Sequence, residues 1–351
     1  MKACILTEPE AGGAGRVTVA DIATPEKVGP RDVRIAVRAA ALNHLDLFVI
    51  DGLPGARRAF PHVLGADAAG VVDVVGEAVT RVNPGERVMI NPGISDGSCE
   101  FCRRGEESLC VNYRLLGEHL PGTLAQYVVV PETNVAVIPR VEPSLTWAEA
   151  AAFSLVTLTA WRMVVTRARV QPGEWVLVWG VGGGVSLAAM RIAKLRGGRV
   201  IATSSDDAKL HEARALGADI TVNHGSERVA ETVRRVTEKR GVDVVIENVG
   251  QATWEESLRC LAKAGRLVTC GATSGPHVVS DVRRIFWNQY TIMGSTMGSA
   301  AEYHAVVQVL GSGQLRPVVD RVVPLAQVRE AFDRLRRGEQ LGKIVVEVSP
   351  D

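Results

Sequence analysis

Trp175-Val176-Leu177-Val178-Trp179-Gly180-Val181-Gly182-Gly183-Gly184-Val185-Ser186 joins an unbroken apolar run to a cluster of glycines and then to a helix-forming segment. A run apolar at every position suits a parallel strand buried on both faces. The glycines let the backbone turn tightly and approach a pyrophosphate, which would rest on the N–H groups of the helix start. Strict G-x-G-x-x-G spacing is not met, because counting from Gly180 the last position is Val185. Alone, such a turn could serve packing only. The segments on its C-terminal side give it weight. Helix-like VSLAAMRIAKLRG (185–197), AKLHEARALGA (208–218), ERVAETVRRVTEKRG (227–241) and WEESLRCLAKAG (254–265) alternate with strand-like RVIATS (199–204), DITVN (219–223), VDVVIENVG (242–250) and RLVTCGA (266–272). That alternation indicates an α/β fold with a doubly wound parallel sheet that binds a dinucleotide at Gly180, Gly182, Gly183, Gly184 and Val185.

An acidic side chain about 20 residues beyond the turn would bind a ribose 2′-hydroxyl. Ser204 stands there, with Ser205 beside it and Lys209 five residues beyond Ser204. A serine pair can hydrogen-bond a 2′-phosphate and a lysine can neutralise it, which favours NADP(H). The competing reading has Asp206 or Asp207 swinging back to hold NAD, with Lys209 a solvated helix residue.

Outside this block the sequence changes character. VRIAVRAAAL (33–42), AAGVVDVVG (68–76), ERVMINPG (86–93) and LAQYVVVPE (124–132) are short β-like runs separated by turn residues such as Asn83-Pro84-Gly85. LTWAEAAAFSLVTLTAWRMVV (145–165) reads as helical, and from about 286 mixed strands and one short helix return, with KIVVEVS rejoining the first β unit. The division expected is residues 1–150 with 286–351 in a β-rich domain, and 151–285 in the dinucleotide-binding domain.

The chain has 351 residues and a net charge of +1, so it lacks the basic footprint of a nucleic-acid binder. No apolar run reaches the length of a membrane span, and MKACILTEPE lacks the apolar core of a signal peptide, so a cytoplasmic protein is expected. Of six cysteines, three lie in Asp96-Gly-Ser-Cys99-Glu-Phe-Cys102-Arg-Arg-Gly-Glu-Glu-Ser-Leu-Cys110. The spacing D-x2-C-x2-C-x7-C offers four tetrahedral ligands and no open position, as a structural zinc requires. A metal-free loop of reduced cysteines is the alternative.

Together with ALNHLDLFVIDG (41–52), PHVLGADAAGVV (61–72), GTLAQYVVVPE (122–132) and GRLVTCGATSG (265–275), these stretches resemble the medium-chain dehydrogenase/reductase superfamily, that of the zinc-containing alcohol dehydrogenases. The resemblance implies a GroES-like catalytic domain, a Rossmann domain inserted in it, an active-site cleft between them, and a homodimer or homotetramer. It also implies a catalytic zinc whose ligands would fall at Asn43, Ala66 and Leu155, none of which fits the role. Leu45 and Phe48 stand where a proton relay would run. The expectation is therefore one structural zinc and no catalytic zinc. A site rebuilt from His44, Asp46, His62 and Asp67 is the alternative. Asn43-His44-Leu45-Asp46 looks more like the zinc-free quinone oxidoreductase and enone reductase branches.

Without a Lewis acid, an alcohol is hard to deprotonate, whereas reducing an activated double bond needs only donors to hold charge on a carbonyl oxygen. The amide of Asn43 and the imidazole of His119 are the candidate catalytic donors, and the resemblance puts Thr159 beside the nicotinamide ring. Three functions are open to such a chain. The first is an NADPH-dependent reductase of enones, enals or quinones. The second is an alcohol dehydrogenase or carbonyl reductase with a rebuilt site. The third is a non-enzymatic NADPH-binding protein. A small carbonyl or enone is the expected partner, with no nucleic acid and no membrane.

Overall fold

The computed structural model describes residues 1–8, 16–53 and 58–349, in two compact units. One comprises Met1–Leu155 with Gly298–Asp351, and the other is Val156–Met297.

In the second unit six parallel strands stand in the order Ile220–Asn223, Arg199–Ser204, Trp175–Val178, Val242–Glu247, Leu261–Thr269, Thr291–Gly294. Numbered along the chain this is the 3-2-1-4-5-6 order of a Rossmann sheet. The order reverses beside Trp175–Val178, which is hydrogen-bonded to both Arg199–Ser204 and Val242–Glu247. Leu177, Ile201, Val222, Val245 and Leu267, one from each of five strands, form its core with Trp179. Burial on both faces explains the continuous apolar runs.

The expected boundary at 286 is corrected to 297. Thr291–Gly294 adds to the same sheet as its sixth strand, beside Leu261–Thr269. The boundary at 150 likewise moves to 155. Residues 145–165 are not one helix: Trp147–Ala151 ends at Ala152, and Ser154–Trp161 starts afresh across the junction. The helix expected over 254–265 stops at Cys260, because Leu261 is already extended and paired with Val242.

The first unit carries a seven-stranded sheet centred on Asp32–Ala41, which pairs with Asp67–Val75, Tyr127–Pro131 and Lys343–Glu347. Alternate residues Val33, Ile35 and Val37 point into the core with Leu64, Val88 and Ile344. KIVVE does rejoin the β unit of the first half, as its pattern indicates. Two helices, Ala300–Gly311 and Val328–Arg336, precede it where one was expected.

Candidate functional site

The glycine turn lies at the carboxyl end of Trp175–Val178 and leads into the helix Gly184–Leu195. Gly180 has φ +63°, a left-handed conformation that favours glycine. Thr203 reads the turn twice, its carbonyl accepting from Val181 N at 2.8 Å and its Oγ1 from Gly180 N at 3.2 Å. Ser186 Oγ donates to Trp179 O at 2.6 Å and accepts from Asn248 Nδ2 at 2.8 Å, tying the helix start to the residue that follows the neighbouring strand Val242–Glu247. Gly182, Gly183, Gly184 and Val185 thus lie on a braced helix N-terminus of the kind that receives a pyrophosphate.

Ser204 ends its strand, buried, with Oγ accepting from Asp206 N at 3.1 Å. Asp206 caps the next helix through Ala208 N and Lys209 N, and Asp207 accepts from Asn223 Nδ2 at 2.7 Å. Both acids are engaged locally. Ser205 is exposed and Lys209 half-buried on the same stretch. Thr159 is buried, its Oγ1 3.6 Å from Met297 Sδ.

In the first unit a buried polar network surrounds Asn43. Lys343 Nζ donates to Asn43 Oδ1 and, at 3.1 Å, to Asp67 Oδ2. Asp67 Oδ2 also accepts from Asn43 Nδ2 at 3.0 Å, and its Oδ1 from Leu155 N at 2.8 Å. Asp46 accepts from Asn43 N and Gly65 N. Burial pushes its carboxyl up to about 6, against the pull of those N–H groups. Burial pushes the Lys343 ammonium down, and Asp67 opposes it. Gly65 is required here: φ is +96°, and a Cβ would lie 2.8 Å from Leu124 N.

This corrects the reading of Asn43 as a substrate donor. Its second amide proton goes to Ala41 O at 3.2 Å, so both are spent inside the chain. A site rebuilt from His44, Asp46, His62 and Asp67 is also not formed, since His62 Nε2 donates to Gly117 O and Asp46 holds the Asn43 loop. Lys343, and its pairing with Asp67, escaped sequence reasoning. The available signal was a lone charge in each of two apolar runs, GADAAG and KIVV, and nothing local pairs them.

His119 keeps a free end. Its Nδ1 accepts from Leu115 N at 3.2 Å, which leaves the proton on Nε2, 3.6 Å from Glu118 Oε1. Its side chain is 37% exposed, enough to meet a small molecule.

The cysteine loop brings Asp96, Cys99, Cys102 and Cys110 together, with donor atoms all within 4.8 Å of one another. Cys99 and Cys102 sulfurs are 3.5 Å apart, close to the edge of about 3.8 Å that a tetrahedron with zinc–sulfur bonds of about 2.3 Å would have. Asn112 Nδ2 donates to Asp96 Oδ2 at 2.8 Å, fixing the carboxylate. The residues fit a metal ion, and this is the one such group among the described residues.

A Rossmann sheet with a braced glycine turn, in a chain that also carries a β-rich unit with a four-ligand lobe, defines a nicotinamide-dependent oxidoreductase. Comparison with known proteins agrees. Residues 29–140 match the family model described as alcohol dehydrogenase GroES-like domain, and 184–312 that of zinc-binding dehydrogenase. An NAD-dependent alcohol dehydrogenase of Saccharolobus solfataricus is 30% identical over 94% of this chain and 96% of its own length. An acryloyl-coenzyme A reductase of Metallosphaera sedula is 29% identical, over 90% and 92%. The crystal structure of an NAD-dependent alcohol dehydrogenase, 43% identical, superposes with a TM-score of 0.93, covering 99% of this chain and 100% of that one. The chain belongs to the medium-chain dehydrogenase/reductase superfamily, of the zinc-type alcohol dehydrogenase-like kind, and is an NAD(P)-dependent oxidoreductase.

Proposed function

We propose that this enzyme uses NADPH to reduce activated carbon–carbon double bonds of enones or enals, or quinones, without a catalytic zinc. The observation that carries the reading is the Lys343 ammonium, held by Asn43 Oδ1 and Asp67 Oδ2. By resemblance Asn43 occupies the place of the first catalytic-zinc ligand. Here that side chain faces a fixed cation of the protein's own, while Ala66 and Leu155 offer no donor side chain.

NADPH, when bound, supplies the hydride. Delivered to the β-carbon of an enone, it would move the electron pair of the double bond to the carbonyl oxygen, where the chain must hold the charge. A proton at the α-carbon completes the reaction. His119 Nε2–H is the donor we assign to the carbonyl oxygen, and solvent water supplies the proton that the α-carbon takes up. Asn43 keeps Asp67 and Lys343 in place. The cofactor preference rests on Ser204 at the strand end, with Asp206 and Asp207 turned away to a helix cap and to Asn223. Asp96, Cys99, Cys102 and Cys110 would hold one structural zinc, which leaves no position for substrate.

An enone and quinone panel run beside an alcohol panel, each with and without chelator, tests this. Double-bond or quinone reduction with NADPH that survives chelation is expected. The second reading is an alcohol dehydrogenase with a rebuilt site, which the names of several relatives favour. Chelator-sensitive alcohol oxidation with no double-bond reduction would give it the lead.

A further inference from the structure

His224 follows the strand Ile220–Asn223, and its backbone N donates to Ser204 O at 3.0 Å. The residue is exposed, and its ring lies 5.9 Å from that of Trp179, inclined at 47°. Its Nδ1 is 3.2 Å from Thr203 Oγ1. Thr203 is buried and already accepts from Gly180 N. Its hydroxyl proton then has His224 Nδ1 as acceptor, and the opposite assignment would leave a buried O–H with none. The chain Gly180 N–H to Thr203 O–H to His224 Nδ1 thus sets the tautomer and puts the ring proton on Nε2. Partial desolvation lowers the imidazole's pKa, in keeping with a neutral ring. Among the described residues Nε2 has no hydrogen-bond partner.

Donors gather around this ring, and the acids near it are already engaged. A Cβ at Gly225 would lie 3.6 Å from Ser205 Cβ, so the turn after His224 stands against the serine pair. Asp206 and Asp207 are engaged elsewhere, and Glu227 of the same turn accepts from Asn223 N at 3.4 Å. Trp179, beside the imidazole, is buried, and its Nε1 finds no hydrogen-bond partner among the described residues. Unspent donors grouped at the carboxyl ends of parallel strands suit an anionic ligand.

We propose that His224 recognises the adenosine 2′-phosphate of NADP(H) through Nε2–H, and that Thr203 is the positioning residue that holds this tautomer. The inference rests on the NADPH reading and deepens it. Calorimetric titration of the full chain with 2′,5′-ADP and with 5′-AMP tests it without turnover. The unaltered protein should prefer 2′,5′-ADP. His224→Phe keeps a ring against Trp179 and removes the donor. It should weaken 2′,5′-ADP about tenfold, the worth of one charge-assisted hydrogen bond, and leave 5′-AMP within about twofold. Thr203→Val should erode the same preference, and Thr203→Ser should retain it. A preference unchanged in His224→Phe, or equal weakening of both nucleotides, overturns the role of His224 while leaving the NADPH reading intact. No preference in the unaltered protein overturns the NADPH reading and this inference with it.

Discussion

Lys343 meets Asn43 across 300 residues of chain and Asp67 across 276. The ammonium is nearly sealed from water, with its side chain 4% exposed and that of Asp67 0%. Such a pair adds little net stability over apolar packing, but losing one partner leaves an uncompensated buried charge. Lys343→Met should therefore cost about 3–5 kcal/mol in urea denaturation. Asp67→Asn added to it should recover at least half. If the double variant is no more stable than the single, the two side chains are not energetically paired.

At the scale of elements, what could be read in advance is what lies close in sequence. The glycine turn and the alternation after it define the Rossmann sheet because each strand and helix carries its own periodicity. The ligand loop is equally local, since Asp96 and Cys110 are only fourteen residues apart. One zinc per chain is expected, and Cys102→Ser should abolish it and lower thermal stability while sparing nucleotide binding. Zinc at two per chain, or none in protein prepared without chelator, would count against that assignment. Long-range pairings were less legible. Nothing near Cys260 announces that its helix must stop, because the cause is the pairing of Leu261 with Val242. The strand Thr291–Gly294 lies at the open edge of its sheet, and Ile292, Val282, Phe286 and Trp287 are exposed near it in sequence. An apolar edge invites pairing with a second copy. We expect a dimer, and Ile292→Lys should shift its light-scattering mass towards the monomer. A monomeric unaltered protein at micromolar concentration would rule the pairing out.

On the scale of the molecule, the second unit is one continuous stretch, 156–297, with its own core, whereas the first is assembled from both ends of the chain. Fragment 156–297 should fold alone and bind to immobilised 2′,5′-ADP, with a cooperative melt by circular dichroism. A fragment without cooperative unfolding would show that the sheet depends on the rest of the chain. The discontinuity also sets a schedule for synthesis. Asn43, Asp46 and Asp67 leave the ribosome early, but the lysine that neutralises their pocket is made some 276 residues after Asp67. Until then the nascent first unit must keep that carboxylate wet or protonated, so its burial awaits the strand Lys343–Glu347. A chain cut short by translational arrest before that strand would carry a finished nucleotide-binding unit beside an unfinished partner, and proteolytic quality control could tell it from the full-length product.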